Sequence, residues 1–338
     1  MLRRGKPGPV RVLRMLALAA GLVAALGLGG DASAQSPKKF KLALGDIATI
    51  ESLNMMIALD RARQRGVDVE IIAFKSEDIA TQAVVNGQAE IGQGTPYAVI
   101  QKLNAPIRIF YLLSTLQFFP VVNKESYKSW KDLDGQEIAV HSRGSGTEAI
   151  AKVMAQTHGI NYKSISYVPG SEVRALAMLK GNIKATFVDL ANRNFLMKEA
   201  PDKFLVLPMG EVKASDEALF ARREFLEQNS QAVGILLEEL LHVWREINKD
   251  PNFVVRERQR LGLLRDLPSK LEPEVLPYYQ QGVATGIFPT DGGGEKAARN
   301  DVLFFTTSGA LKGSPSELKV EDFWYLEPLK VALTKVGN

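Results

Sequence analysis

The chain contains no cysteine, and this absence excludes several kinds of chemistry at once. There is no disulfide bond, no thiolate metal ligand, no cysteine nucleophile and no lipid-modified N-terminal cysteine. Histidine is also scarce: His141, His158 and His242 are far apart, and no two have the H-x-x-x-H spacing of a zinc site. The sequence has neither a P-loop nor the G-x-S-x-G motif of serine hydrolases. We therefore expect no catalytic residue, no metal and no cofactor.

An excess of charge of one sign is missing from most of the chain. The formal net charge is +4, but residues 1–34 hold five basic residues and one acidic residue. Without them the chain has 42 − 5 = 37 basic and 38 − 1 = 37 acidic residues. Nucleic-acid-binding domains usually carry a basic excess, so we expect no nucleic-acid partner.

Long apolar runs are rare, and the one that matters lies near the N-terminus. Residues 1–14 are basic, residues 15–30 are apolar and uncharged, and Ala32-Ser33-Ala34 follows shortly after. This order of a basic region, a short apolar region and a small-x-small site is typical of a secretory signal peptide. The apolar run is shorter than the roughly 18 residues of a membrane-spanning helix. We predict a signal peptide over residues 1–34, cleaved after Ala34.

The rest of the chain alternates strand-like and helix-like segments. A first unit has strand patterns at residues 40–44, 69–74, 89–94 and 107–113. A second unit begins near Trp130, and its strand patterns lie at residues 137–141, 165–168, 184–189 and 204–208. Strands separated by amphipathic helices predict parallel β-α-β units and hence an α/β fold.

The C-terminal part has a mainly helical composition. Residues 230–250 predict a long amphipathic helix that ends before Pro251, and residues 321–333 predict a terminal helix. Between them, the glycine-rich stretch 289–301 is expected to be an exposed loop.

Four short motifs follow one another in the order seen in one receptor family. They are N-G-Q-A-E-I-G at 86–92, W-K-D-L-D-G-Q-E-I-A-V at 130–140, L-K-G-N-I-K-A at 179–185 and F-A-R-R-E-F at 220–225. With the signal peptide, they resemble the periplasmic substrate-binding proteins of ABC transporters, in the nitrate, sulfonate and taurine branch. The resemblance covers most of residues 38–260 and implies the two-lobed type II periplasmic-binding-protein fold, with two βαβ-type lobes joined by two crossings.

The resemblance also implies a division of the chain and a set of partners. Lobe one would comprise residues 38–120 and 215–338, and lobe two residues 121–214. The crossings would lie near residues 114–122 and 215–219. The ligand would bind between the lobes, beyond the carboxyl ends of the strands. The implied protein is a periplasmic monomer that serves an ABC permease in the inner membrane.

Two segments depart from the family pattern. Residues 45–51 stand where a proline-containing P-x-x-x-A helix start is common, and Lys184-Ala185 replaces an acid-alanine pair. These departures concern the ligand contacts of lobe one and leave the expected fold unchanged.

A glycine-rich turn between a predicted strand and helix is the main candidate for a ligand site. Free N–H groups and the dipole at a helix N-terminus favour an anion, and Arg143 could add a charged fork. The alternative is a capping box, Ser145-x-x-Glu148, with no ligand, and a solvated Arg143. The candidate residues are Ser142, Arg143, Gly144, Ser145, Gly146 and Thr147.

Other predicted strand ends supply further candidates. Thr95 could instead cap the helix that starts at Pro96, and Asp189 could cap the helix that follows it. Residues 114–115 could serve only as part of the crossing. The candidates are Asp46, Ile47, Gly94, Thr95, Ser114, Thr115 and Asp189.

The sequence therefore predicts a receptor for a small anionic organic solute such as a sulfonate or carboxylate. It would act by hinge closure without bond chemistry. An enzyme on the same fold is the first alternative, although thiamine-pyrimidine synthases of that kind carry a cysteine-rich motif that is missing here. A receptor for a TRAP transporter, one group of which also has G-S-G-T before a helix, or for a sensor kinase is the second.

Overall fold

The structure, a computed structural model, describes residues 38–337. In this range the chain forms ten strands and twelve α-helices. The predicted signal peptide and its cleavage site after Ala34 lie outside the described residues. Among the helices of residues 38–337, none combines the length and the apolar character needed to cross a membrane.

The ten strands form two five-stranded sheets. In chain order they are β1 (Lys38–Leu44), β2 (Val67–Ala73), β3 (Ile91–Gly94), β4 (Ile107–Thr115), β5 (Phe119–Asn123), β6 (Glu137–Val140), β7 (Ser164–Tyr167), β8 (Ala185–Val188), β9 (Phe204–Val206) and β10 (Ser215–Arg222). The strand orders are β2-β1-β3-β10-β4 and β7-β6-β8-β5-β9. We call the part built on the first sheet lobe one and the part built on the second lobe two.

Each sheet contains a strand that enters directly from the other lobe. Strand β1 runs parallel to β2 and β3, whereas β10 returns from lobe two and lies antiparallel between β3 and β4. In the second sheet, β5 is antiparallel to β8 and β9. Residues 116–118 connect β4 to β5, and residues 207–214 connect β9 to β10. The second crossing was predicted near residues 215–219, but these residues already belong to β10: Ser215 and Glu217 pair with β4, and residues 218–219 pair with both β3 and β4.

Within residues 38–337, twelve helices accompany the sheets, and the fourth and the sixth begin at side-chain caps, Ser145 and Asp189. The helices are α1 (Leu53–Gln64), α2 (Glu77–Val85), α3 (Tyr97–Leu103), α4 (Gly146–His158), α5 (Ser171–Leu179), α6 (Leu190–Glu199), α7 (Arg223–Gln228), α8 (Ser230–Lys249), α9 (Asn252–Leu261), α10 (Val275–Thr285), α11 (Gly294–Thr307) and α12 (Glu327–Val336). Helix α4 has Ser145 at its N-cap and ends at Gly159, whose φ of 63° few other residues adopt.

The long helix α8 packs its apolar face into the core of lobe one. Trp244 is fully buried there, and its ring meets that of Tyr111 edge to face at a centroid distance of 5.9 Å. The indole N–H donates a hydrogen bond of 2.7 Å to the carbonyl oxygen of Leu113. Helix α8 thereby holds the end of β4, just before the chain crosses to lobe two.

Two expectations for the C-terminal part are wrong. Residues 289–301 are not simply an exposed loop, because α11 starts at Gly294 and Ala298 is fully buried. The predicted helix over 321–333 begins only at Glu327, since the backbone around Trp324 instead forms a parallel bridge with Ile109. In both places long-range packing against β4 outweighs the local glycine or helix signal.

Asp301 of α11 fixes the point at which β10 begins. Its carboxylate is fully buried and accepts hydrogen bonds of 2.6 Å from the backbone N–H and the hydroxyl of Ser215. The hydroxyl of Tyr97 donates to the same group. Burial raises the pKa of Asp301 to about 6, while these hydrogen bonds favour the ionised form.

The Asp301→Ala substitution is expected to lower the free energy of unfolding by about 3 kcal/mol, because it leaves buried donors without an acceptor. Urea unfolding followed by circular dichroism measures this change. Asp202→Ala, at an exposed aspartate, is the control. A loss below about 1 kcal/mol, the size of an average substitution, would show that Asp301 does not anchor β10.

Candidate functional site

A cleft of about 70 Å³ is lined by residues of both lobes. Lobe one contributes the segment after β1, the first residue of α2, and side chains of β3 and β10. Lobe two contributes the loop between β6 and α4 and the first turn of α5. Most of these elements meet where strands end, which is where open α/β sheets bind ligands. We call this space the cleft.

A larger cavity of about 400 Å³ adjoins the cleft. The two share the lining residues Ile47, Thr49, Glu51 and Glu172. We call this cavity the chamber. Much of its remaining wall is apolar and includes Ala48, Ile50, Ala191, Leu264, Leu267 and Leu271.

The loop before α4 folds on its own hydrogen bonds. The hydroxyl of Ser145 accepts from the backbone N–H of Glu148 at 3.4 Å and donates to the carbonyl of Ser142 at 2.8 Å. The Glu148 carboxylate accepts from the N–H of Gly144 at 2.7 Å, one residue before the partner that a capping box would use. The hydroxyl of Thr147 accepts from the backbone N–H of His141 at 2.9 Å. The loop is therefore a capped helix start in which the hydroxyls of Ser145 and Thr147 are hydrogen-bonded, whereas the buried hydroxyl of Ser142 has no partner among the described residues.

The predicted loop residues divide into two groups. Ser145, Gly146 and Thr147 line the cleft, whereas Ser142, Arg143 and Gly144 do not. Arg143 is exposed, and its guanidinium lies 4.8 Å from the ring centroid of Tyr167. The charged fork proposed for an anion is thus directed to the surface of lobe two.

The predicted residues of the first and third strand ends have different roles. Asp46 and Ile47 line the cleft. Gly94 and Thr95 lie behind it and hold Glu77: the N–H of Thr95 donates to the Glu77 carboxylate at 2.8 Å. A Cβ atom at Gly94 would lie 2.3 Å from that carboxylate, so the glycine leaves room for it.

The remaining candidates support neighbouring groups. A hydrogen bond from Ser114 stabilises the ionised form of Asp216, and the hydroxyl of Thr115 donates to the carbonyl of Gly286 at 3.1 Å. Asp189 is the N-cap of α6 and accepts from the backbone and side-chain amides of Asn192 at 2.8 and 2.7 Å. Asp189 lines the chamber rather than the cleft. Direct ligand contacts of the predicted residues stay a prediction.

Carboxyl groups dominate the cleft. Two of them, Asp216 and Glu217, are neighbours on β10 and would point to opposite faces of a regular strand. The pairing of β10 with β4 shifts register between Ser215 and Glu217, so the strand is irregular at this point and both side chains line the cleft. The six carboxyl side chains are those of Asp46, Glu51, Glu77, Glu172, Asp216 and Glu217.

Mutual proximity and burial make these acids weaker than usual. Burial raises the pKa values of both Glu77 and Glu172 to about 7. Burial, together with repulsion from Asp189 and Asp216, raises the pKa of Glu51 well above its usual value. Burial, followed by repulsion from neighbouring carboxylates, has the same effect on Asp216 and Glu217. Each group disfavours the ionised form of the others.

Arg174 is the permanent positive charge among the described residues that line the cleft. It is 1% exposed, and its guanidinium donates to the carbonyls of Phe187 at 3.1 Å and Val168 at 2.8 Å. Burial lowers its pKa to about 10, against the attraction of Asp189 and other carboxylates. Arg174 remains charged at neutral pH, and one cation faces six carboxyl groups.

His141 connects the two lobes as a neutral group. Burial, followed by repulsion from Arg174, lowers the pKa of its imidazole to about 4. Its Nδ1 accepts a hydrogen bond of 3.2 Å from the N–H of Gly170, and the ring also bonds to the backbone of Gly45 in lobe one. Asp46 lies 3.8 Å from the same Nδ1, which is unprotonated at neutral pH and forms no ion pair.

Two acceptor atoms in the cleft have no partner among the described residues. The Gln93 side chain is 8% exposed, and its Oε1 accepts no hydrogen bond. A hydrogen bond from the Gln93 side chain stabilises the ionised form of Glu217. Only the amide nitrogen can donate this bond, so the amide oxygen is the atom left without a partner. Oε1 of Glu172 is also buried without a donor. Buried acceptors of this kind are normally satisfied in proteins.

Several lining residues were not predicted from the sequence. Glu77 begins α2 after β2, and residues 171–174 begin α5 after β7. Both therefore follow strand ends, and the criterion that selected the other candidates could have identified them. Gln93, Asp216 and Glu217 lie within strands, and no local signal marks them as site residues. Among the described residues, no group of three or more histidines and acids is placed to hold a metal ion.

The Glu172→Gln substitution is expected to stabilise the protein increasingly as the pH rises. In the folded protein the pKa of Glu172 is about 7 instead of 4.5, so the folded state holds this proton more tightly than the unfolded chain. The stabilising effect of that proton is complete below the unfolded pKa and is lost as the pH rises through about 7.

Urea unfolding of both proteins at about pH 5 and about pH 8 measures the change. The stability of Glu172→Gln relative to the wild type should be greater at the higher pH. Glu211→Gln, at an exposed glutamate outside the cleft, is the matched control. An equal difference at both pH values would contradict the raised pKa of Glu172.

Residues 63–253 match the model of a protein family described as NMT1/THI5 like. This segment contains strands of both sheets and most of the residues that line the cleft. No curated protein matches the chain in sequence.

Several solved structures are similar to this chain. A protein from Bordetella bronchiseptica RB50 superposes with a TM-score of 0.71 at 18% identity, over 89% of this chain and 98% of that one. The periplasmic nitrate-binding protein of Synechocystis PCC 6803 superposes with a TM-score of 0.67 at 13% identity, over 89% of each chain. The alkanesulfonate-binding protein of Xanthomonas axonopodis pv. citri, bound to MOPS, superposes with a TM-score of 0.60 at 15% identity, over 82% of this chain and 96% of that one. At such identities the similarity concerns the fold, and it confirms the predicted two-lobed periplasmic-binding-protein fold.

Proposed function

We propose, from the premise that the chain belongs to the NMT1/THI5-like family, that the protein is a receptor for a small solute. The observation that carries the proposal is the cleft, because each lobe contributes one of its walls. A solute held there would contact both lobes at once and would be enclosed by them. Its binding energy would then favour the conformation in which the lobes are together.

The connections between the lobes support hinge closure. Residues 116–118 and 207–214 join the two sheets, and neither segment belongs to a helix or strand. Hinges usually consist of a few such residues, about which rigid lobes rotate. His141 and Gly45 make a contact across the cleft that such a rotation would form or break.

We further propose that the receptor works in the periplasm and delivers its solute to an ABC permease in the inner membrane. The predicted signal peptide at residues 1–34 and the ordered family motifs support this assignment. The structurally similar Synechocystis protein is itself described as periplasmic and nitrate-binding.

The proposal includes binding without catalysis. Within the described part of the cleft, the hydroxyls of Ser145 and Thr147 bond to the loop itself, and His141 bonds to backbone groups. None of these side chains is paired as a nucleophile with a base, which is the arrangement that covalent catalysis needs. The absence of cysteine supports the same reading.

The receptor proposal predicts that a small solute stabilises the purified protein against heat. A solute at 100 times its dissociation constant adds about 2.7 kcal/mol to the free energy of unfolding. A thermal-shift panel of nitrate, sulfonates, carboxylates, amines and neutral compounds tests this, with calorimetric titration of each hit. If no charge class raises the transition temperature, the receptor proposal fails.

The Gly146→Leu substitution should weaken the binding of any hit by at least about tenfold, a loss of about 1.4 kcal/mol. Gly146 lines the cleft, and a Cβ atom there would lie 2.7 Å from Leu116 and 3.9 Å from Asp216. A larger side chain would therefore occupy space between the lobes. Urea unfolding of the variant checks that it folds, and unchanged affinity in a folded variant would place the solute elsewhere.

A further inference from the structure

The ionisable side chains that line the cleft are mainly acidic, whereas the sequence predicted a site for an anion. Six carboxyl groups line it, together with Arg174 and a neutral His141. Arg174 already donates to two backbone carbonyls and is attracted by Asp189, Asp46 and Glu172. An added anion would meet the remaining carboxylates, whereas an added cation would relieve the repulsion between them.

The unpaired acceptors provide an independent indication of a hydrogen-bond donor. Oε1 of Gln93 belongs to a residue that is 8% exposed and lines the cleft, and no described residue donates to it. Oε1 of Glu172, across the cleft on α5, is also buried and receives no hydrogen bond from the described residues. A buried amide oxygen needs an N–H or O–H donor, which nitrate and unsubstituted sulfonates or carboxylates do not offer, whereas an ammonium or amidinium group has several.

The sizes of the two cavities indicate the shape of the ligand. The cleft, at about 70 Å³, has room for a small polar group. The chamber, at about 400 Å³, is the size of a small organic molecule and has a mainly apolar wall. Glu51 and Glu172 line both, so a charged group in the cleft and an apolar body in the chamber could belong to one molecule.

We propose that the solute is an organic cation whose ammonium or amidinium group binds among the cleft carboxylates and whose apolar body fills the chamber. This inference rests on the proposed receptor function and specifies its substrate class. The cationic group would donate to Gln93 and Glu172 and would be surrounded by Asp216 and Glu217 of β10. Each N–H donor of the ligand would then pair with an oxygen that has no donor within the protein or with a carboxylate that is repelled by its neighbours.

The binding of such a cation should weaken as the pH falls. The pKa values of Glu77 and Glu172 are about 7, and protonation there removes the charges that attract the ligand. Affinity should therefore be greatest above about pH 7 and should fall below it, with proton release on binding. The charged or titratable groups that face Glu77 or Glu172 are Asp46, Glu51, Asp78, Arg174, Asp189, Asp216 and Glu217.

The test compares probes of matched shape and different charge. The cations are 2-phenylethylammonium, benzamidinium and n-butylammonium. The anions are 3-phenylpropanoate, benzoate and butane-1-sulfonate, and 2-phenylethanol is the neutral probe. Thermal shift and calorimetric titration with the purified protein at about pH 8 should show saturable binding of at least one cation and no binding of its matched anion.

Substitutions locate the bound cation. Glu172→Gln keeps the size of the side chain and removes one charge, so it should weaken the cation by at least about tenfold. Gln93→Leu removes the open acceptor and should also weaken it. Glu125→Gln is the same change at an exposed residue outside the cleft and outside both connections between the lobes, and it should leave the affinity within about twofold.

Each outcome decides the inference. Cation binding that depends on Glu172 and Gln93 but not on Glu125 supports it. Binding of an anion or of the neutral probe, without a cation, overturns the cation assignment and leaves the receptor proposal standing. A cation whose affinity is equal in the wild type, Glu172→Gln and Gln93→Leu is bound elsewhere, which also overturns the assignment. If no probe of any charge binds, and the wider solute panel is also negative, both proposals fail.

Discussion

The return of strand β10 from lobe two is the constraint on which the rest of the structure depends. This strand lies between β3 and β4 and closes the first sheet, and Asp301 holds its first residue, Ser215, through two hydrogen bonds. The same strand brings Asp216 and Glu217 to the cleft, where its irregular register allows both side chains to face the same space. One short segment therefore completes a connection between the lobes and supplies two of the six carboxyl groups of the cleft.

A cleft crowded with carboxyl groups is costly for the protein without a ligand. Repulsion and burial shift the pKa values of these groups upward, and each shift reports free energy that favours protonation over charge. The surrounding fold keeps the groups in place, because Thr95 donates to Glu77 and the buried Arg174 attracts the others. Strain of this kind persists where the rest of the structure overdetermines it and where it serves binding.

The loop before α4 shows how far local sequence predicts a site. The cap at Ser145 agrees with the prediction, because capping depends on residues within one turn. The direction of Arg143 does not follow from the same residues, since it stacks on Tyr167 of the neighbouring strand. Glu77 and Glu172 follow strand ends, so the expectation that ligands bind at strand ends could have identified them. Gln93 and Glu217 lie inside strands, and no nearby residue in the sequence indicates that they belong to a site.

The sequence by itself determined the order of strands and helices, the caps at Ser145 and Asp189 and the family fold, because these depend on periodicity and on residues close together in the chain. It could not determine the sign of the field in the cleft. The acidic and basic residues that follow the first 34 are equal in number, so the net charge predicts nothing at any one point. Only the tertiary structure brings carboxyl groups from residues 46 to 217 into one cleft, where the Coulomb interaction of those few groups outweighs the average over the chain.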